Sequence, residues 1–194
     1  MSSDVPYHHG DLPTALVNAA MELLEENGGA DLSLRAVARR AGVSTAAPYR
    51  HFPDRNALLS AVAAVGYTEL AKDLAAACAD PMTADDLATI AVAYVRFALT
   101  RPGLFRVMFA EGCDTESPDR VAAVAAIHQY LDYIVKRAVP GADPEPMATA
   151  TWALVHGLAF LHLDGKLDSS ADSVVDGTVR GAVRAVLASR AAGS

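Results

Sequence analysis

Apolar residues recur three or four positions apart along most of the chain, and this spacing is typical of amphipathic α-helices. Alternating β-branched runs are scarce, so the pattern predicts an all-helical fold rather than a sheet. Cap and stop signals divide the pattern into successive helices at about residues 11–26, 34–40, 45–52, 54–79, 83–99, from 101 onward, 117–139, 147–164 and 170–190.

Residues that cap helix N-termini stand at several of these starts. Asp11, Ser33 and Asp54 each precede a predicted helix, and Ser44 or Thr45 is expected to cap the helix that ends near residue 52. Thr83 and Asp86 have the spacing of a capping box. Prolines 102 and 118 lie in the first turn of their helices, where a missing N–H is harmless.

Residues 33–52, SLRAVARRAGVSTAAPYRHF, are expected to form two short helices joined at Ala41-Gly42-Val43. Glycine permits the sharp reversal that a helix-turn-helix needs. Small residues at the start of the second helix allow its backbone to approach base edges in the major groove. Basic and hydroxyl groups around it suit phosphate contacts. The alternative interpretation is an ordinary helical hairpin with a solvated arginine face.

The distribution of charge supports the nucleic-acid interpretation, although the net charge does not. The 194 residues carry a net charge of −7, yet residues 33–55 contain five arginines and one acid. A small basic patch on an acidic body is able to dock on phosphates, while the body limits indiscriminate binding. Hydrophobic residues make up 52% of the chain and charged residues 20%, which indicates a globular protein rather than a disordered one.

Several other classes of protein are not expected. No apolar stretch reaches the roughly 18 residues that a membrane span needs, and the N-terminus lacks the pattern of a signal peptide. Cys78 and Cys113 give neither a disulfide framework nor metal spacing, so a cytoplasmic protein with reduced thiols is expected. A phosphate loop, a serine elbow and a metal-spaced histidine pair are all missing. We therefore expect no enzyme, no cofactor and no metal.

The stretch from Tyr7 to about Leu70 closely resembles the DNA-binding domain of TetR-family regulators. The resemblance lies in the turn AGVS, in YRHF at the end of the recognition helix and in PDRNALL at the start of the next helix. YHHGDL, together with residues 33–52, is similar to one subgroup whose C-terminal ligand domain carries a Trp-x-x-x-His-Gly signature. Trp152, His156 and Gly157 have that spacing. Pro13 departs from the subgroup, which more often has a basic residue there.

The resemblance implies a three-helix helix-turn-helix domain over residues 1–55 and a helical bundle for ligand binding and dimerisation over residues 56–194. It assigns base reading to Thr45 and Ala46. It also implies that Ser33, Tyr49 and His51 lie close to phosphates. The DNA-binding residues that it implies are Ser33, Arg35, Ser44, Thr45, Ala46, Tyr49, Arg50, His51 and Arg55.

In the predicted bundle, aromatic and soft residues on the helices are either core or ligand contacts. The candidates for a ligand pocket are Tyr94, Phe97, Phe105, Met108, Phe109, Tyr130, Trp152 and His156. Small and β-branched residues near the C-terminus suit either a symmetric dimer seam or packing within the chain. The candidates for that seam are Phe160, Val175, Gly177, Val179, Gly181 and Val186.

Taken with the resemblance, these features predict a ligand-responsive regulator, a repressor like most of the family. It is expected to bind a palindromic operator in double-stranded DNA as a homodimer, without a membrane partner, and to be released by a small, mainly apolar effector. The alternative is a dimeric DNA-binding regulator without small-molecule control. The helix from Asp54 onward is expected to be the only element that touches the reading domain and also continues into the bundle.

Overall fold

The computed structural model describes residues 12–28, 32–109, 114 and 116–191. This part of the chain contains no strand, which confirms the predicted all-α fold. Its helices are α1 (Leu12–Asn27), α2 (Leu34–Arg40), α3 (Arg55–Ala77), α4 (Ala84–Thr100), α5 (Pro102–Phe109), α6 (Pro118–Ala138), α7 (Pro144–Leu163) and α8 (Asp172–Ala191). The predicted cap Asp11, the YHHGDL motif and Cys113 lie outside the described residues.

Three of the predicted caps form, and they fix where the helices begin. The Ser33 hydroxyl accepts a hydrogen bond from the Ala36 amide at 3.2 Å, and Asp54 accepts one from the Ala57 amide at 2.9 Å. Thr83 and Asp86 form a reciprocal capping box at the start of α4. Each cap satisfies an amide that the first helical turn leaves without a partner.

The predicted helix over residues 45–52 is wrong. Two turns replace it, and only Pro48–Arg50 forms a short 3₁₀ helix, without a side-chain cap. Pro48 explains the difference, because it has no N–H to donate to the Ser44 carbonyl and its ring crowds that position. The Ser44 carbonyl accepts from Ala47 instead, at 3.0 Å. We refer to residues 44–51 as the reading turn.

Helix α4 is the centre of the larger bundle, which we call the body. It contacts α3, α5, α6, α7 and α8, and its buried side chains include Leu87, Ile90 and Val95. A smaller unit, which we call the head, contains α1, α2, the reading turn and Phe52, and it packs on α3 through α1. None of the described helices is long and apolar enough to cross a membrane.

Candidate DNA-reading head and aromatic cluster

The reading turn presents its predicted base-reading residues to solvent. Ser44, Thr45, Ala46, Arg50 and His51 are exposed, and Tyr49 is 51% exposed although it is aromatic. The turn before them reverses at Gly42, whose φ of +69° belongs to the left-handed region that favours glycine. Head residues 33–51 therefore form the expected reversal, with the second helix shortened to a turn.

Buried apolar groups and one backbone contact hold the reading turn in place. Pro48 is buried beneath the turn, and Phe52 is buried immediately after it. The Phe52 amide donates to the Pro48 carbonyl at 2.8 Å, which closes the turn. Because these anchors point inward, the polar side chains between them point outward.

Two arginines of the predicted basic patch serve the packing of the head. The Arg55 Nε donates to the Leu32 carbonyl at 2.9 Å and so ties the start of α3 to the segment before α2. Arg40 forms ion pairs with Glu22 and Glu26 of α1, and its guanidinium lowers the pKa of the Glu26 carboxyl. Sequence reasoning missed both contacts. A phosphate contact by Arg55 stays a prediction.

The remaining positive charge of the head lies on exposed side chains. Arg35 and Arg39 on α2 and Arg50 in the reading turn are all exposed. Ser33 is also exposed beside them, with its hydroxyl engaged as the α2 cap. The arrangement suits a surface where cations meet phosphates while small side chains approach base edges.

Five of the predicted pocket residues come together as one aromatic cluster in the body. They are Tyr94 of α4, Phe105 and Phe109 of α5, and Trp152 and His156 of α7. The His156 ring is central, with its centroid 4.7 Å from Phe109 and 5.8 Å from Phe105. Sequence reasoning missed His128, whose ring lies 5.4 Å from Trp152.

A hydrogen-bonded chain runs through this aromatic cluster. The Trp152 Nε1 donates to the Tyr94 hydroxyl at 3.3 Å, and that hydroxyl lies 2.9 Å from the His156 Nδ1. Tyr94 is buried, so its own proton needs an acceptor, and we assign that role to the Nδ1 of a neutral His156. Burial lowers the pKa of His156 and raises the pKa of Tyr94, which favours the same neutral state.

The other predicted pocket residues lie elsewhere. Phe97 is buried, with the Arg101 guanidinium over its ring, and Met108 is fully buried against Gly66 of α3. Tyr130 is half-buried on α6, and its hydroxyl is buried without a hydrogen-bond partner among the described residues. These three residues do not join the aromatic cluster.

Three of the six predicted seam residues pack within the protomer. Val175 and Val179 are buried on the side of α8 that packs on α4, where Arg96 also pairs with Asp176 at 2.8 Å. Phe160 turns toward the aromatic cluster, 5.0 Å from His156 between ring centroids. The apolar pattern of α8 alone does not show which partner covers that face; the structure shows that α4 covers it.

An exposed face with small residues remains on α7 and α8. A Cβ added at Gly177 or Gly181 would meet nothing within 4 Å, and the same holds for Gly157 on α7. Leu161 is 44% exposed on α7, and Val186 is 39% exposed near the end of α8. We call Gly157 and Leu161 together with Gly177 and Gly181 the outer face.

Among the described residues, α5 contacts the head as well as α3, so the prediction that α3 alone connects the head to the body is wrong. Helix α5 contacts α1 directly. A Cβ added at Gly103 would lie 2.6 Å from the Leu24 carbonyl oxygen, so the two backbones approach each other closely there. Glycine allows this approach because it has no side chain.

Comparison with known proteins agrees with this architecture. The family described as bacterial regulatory proteins of the tetR family matches residues 16–62, and a tetracyclin repressor-like C-terminal domain matches residues 87–186. The chain therefore belongs to the TetR family, whose members are DNA-binding transcriptional regulators. The subgroup marked by Trp-x-x-x-His-Gly stays a prediction.

Individual relatives span most of the fold. An HTH-type transcriptional regulator from Mycobacterium tuberculosis is 29% identical over 148 residues, which are 69% of this chain and 63% of that relative. A protein with unknown function from Rhodococcus sp. RHA1 is 35% identical with a TM-score of 0.76, covering 93% of this chain and 97% of the other. A TetR-family regulator from Thermus thermophilus shares the fold at 18% identity, with a TM-score of 0.62 and coverage of 89% and 96%.

Proposed function

We propose that the protein is a homodimeric repressor that binds a palindromic operator and is released by a small, mainly apolar molecule. The observation that carries the DNA-binding part is the reading turn, which holds Thr45, Ala46 and Tyr49 outward beside exposed arginines. Thr45 and Ala46 read base edges, while Tyr49, Arg50 and His51 contact phosphates. In this proposal residues 1–55, which include the head, form the DNA-binding domain, and residues 56–194 bind the effector and dimerise.

The outer face supports the proposed dimer. Gly177 and Gly181 are one turn apart, so the α8 helix of a second protomer is able to approach closely. Leu161 adds apolar surface on the neighbouring α7. A two-fold axis through this face would pair the protomers symmetrically, and a palindromic operator has the matching two-fold symmetry.

The aromatic cluster supports the proposed effector site. Phe109, Trp152 and His156 are only partly buried, and Trp152 and His128 line a cavity of about 340 Å³ between α6 and α7. That volume lies within the usual range for small-molecule sites, about 300 to 1,000 Å³. The Trp152 ring offers an aromatic wall for an apolar body, and Asp132 and Glu145 place carboxylates at the same cavity.

The contacts of α5 provide the proposed coupling between effector and DNA. Phe109 at the end of α5 belongs to the aromatic cluster, whereas Gly103 near the start of α5 lies against Leu24 of α1. In this proposal, a displacement of α5 moves both α1 of the head and helix α3, because α5 contacts both helices. Effector and operator then bind different states of one dimer, and each weakens the affinity for the other by the same factor.

The experiment is a thermal-shift screen of small apolar and aromatic compounds, followed by titration of each hit against the operator complex. We expect a hit to weaken operator binding by roughly 5- to 150-fold, and Trp152→Ala to abolish the effect. Tyr133→Ala, an exposed aromatic outside the cluster, is the control. A compound that binds tightly beside Trp152 yet leaves operator affinity unchanged would favour the regulator without small-molecule control.

A further inference from the structure

A second cavity lies where the head meets the body, apart from the aromatic cluster. It has a volume of about 690 Å³ and is walled by α1, α3 and α6, with Phe52 of the head at its inner end. None of the predicted pocket residues lines it. We call it the junction cavity. Unlike the aromatic cluster, whose Tyr94 and Phe105 are buried in core packing, it is open to solvent as it stands.

The walls and rim of the junction cavity differ in chemistry. Val17, Phe52 and Val65 supply apolar wall, and alanines from α3 and α6 complete it. The uncharged polar residues of the lining are Thr14, Asn18 and Thr68, and three charged residues complete the rim. An apolar wall beside a polar rim, together with a volume of this size, suits a small-molecule site.

Three charged residues line the junction cavity, and their partners differ. Glu69 forms an ion pair with Arg101, so its charge is already compensated. Asp119 lies in the first turn of α6, where the helix dipole stabilises a carboxylate. Lys72 is exposed and has no ion-pair partner among the described residues. Lys72 is the one cation among the described residues that line the cavity, so it is the group that an anionic ligand would meet.

The cavity has two different ends, one with the Lys72 cation and one with the apolar Phe52. A smaller apolar cavity of about 340 Å³ adjoins it and shares Thr68, Lys72 and Ala123, but it is not lined by Asp119. Lys72 thus lies at the end away from the head, and Phe52 lies at the end toward it. From Ala61 to Lys72 the wall extends roughly 16 Å along α3, at about 1.5 Å per residue.

We propose that the junction cavity is a second ligand site, which takes a small molecule with an elongated apolar body and one anionic group. The body fills the space beside Val17 and Phe52, and the anion meets Lys72. Since the walls come from both the head and α6, a bound molecule ties the two together at a place distinct from the aromatic cluster. The site does not depend on the proposed effector pocket.

The test uses 8-anilinonaphthalene-1-sulfonate, an apolar fluorophore with one anionic group, and the full-length protein. Ala122 is exposed on α6 and lines the cavity, whereas Ala125 is exposed on α6 outside it. Ala122→Phe should weaken probe binding at least tenfold, and Ala125→Phe should leave it unchanged. Phenylalanine keeps Trp152 as the single tryptophan, so circular dichroism and intrinsic fluorescence check the fold.

Charge is tested in the same assay. Lys72→Met should weaken probe binding several-fold, while Lys136→Met, another exposed lysine, should not. Decanoate should displace the probe from the wild type, and decylammonium of equal length should do so poorly. Probe binding that Ala122→Phe leaves intact, or that only Trp152→Ala removes, would overturn the proposal. Failure of the wild type to bind the probe, or equal displacement by the two amphiphiles, would overturn it too.

Discussion

Replacing Gly103 by alanine tests the close approach between α1 and α5. The added Cβ would lie 2.6 Å from the Leu24 carbonyl oxygen and 3.2 Å from its carbon. Both atoms belong to the backbone of α1, so no side-chain rotation relieves the contact. The two helices must move apart, and the separation affects both the stability of the fold and the position of the head.

Two opposing contributions set the size of the effect. Alanine is more favourable than glycine in a helix by about 1 kcal/mol. Overpacking a tight contact costs about 1 to 3 kcal/mol. We therefore expect Gly103→Ala to lower the free energy of unfolding by up to about 2 kcal/mol.

Gly66→Ala is the matched control, because the same distance of 2.6 Å separates its added Cβ from the Met108 sulfur. A methionine side chain is flexible and yields more easily than a backbone carbonyl. This variant should lose less stability than Gly103→Ala. The assay is urea unfolding followed by circular dichroism at a fixed protomer concentration, since dimerisation shifts apparent stability. A Gly103→Ala protein that loses no more stability than Gly66→Ala would refute the close approach.

Three further predictions concern the aromatic cluster, the reading turn and the outer face. Burial lowers the pKa of His156 below the ordinary value of 6.5, so the unfolded chain binds the proton more readily than the folded chain. The free energy of unfolding should therefore fall as the pH drops below about 6.5. In thermal unfolding at a series of pH values, His156→Gln should flatten this dependence. Thr45→Ala should change the base preference of selected DNA sites, whereas Tyr49→Phe should weaken binding to all duplexes alike in fluorescence anisotropy; an unchanged selected site for Thr45→Ala would contradict base reading. Gly181→Leu should overfill the outer face and yield monomer in light scattering, and an intact dimer would place the seam elsewhere.

Features fixed by local chemistry were predictable from the sequence. Helix α2 begins at the predicted residue because Ser33 caps its first turn, and it ends at the predicted residue just before the left-handed Gly42. The capping box of Thr83 and Asp86 is likewise a contact within a few residues. The shortening of the third predicted helix was also predictable from Pro48, because proline lacks the amide hydrogen that an α-helix needs at that position.

Features fixed by tertiary contacts were not predictable. Helical spacing groups Val175 and Val179 on one face of α8 but cannot say that α4 covers that face. From the sequence, Arg40 belongs to the basic patch. The fold brings Glu22 and Glu26 beside it, and these ion pairs cannot be inferred from the sequence pattern. The contact of Gly103 with Leu24 joins residues far apart in the chain, and no motif marks it.

The measurement that tests the central claim most directly is selection of bound sequences from a random pool of double-stranded DNA by the full-length protein. The account predicts enrichment of a palindrome whose half-sites are about one helical turn or a multiple apart, roughly 10 base pairs centre to centre. Binding to that site should also weaken with rising salt, because phosphate contacts release counterions. Recovery of no palindrome above the starting pool would contradict the assignment of the reading turn.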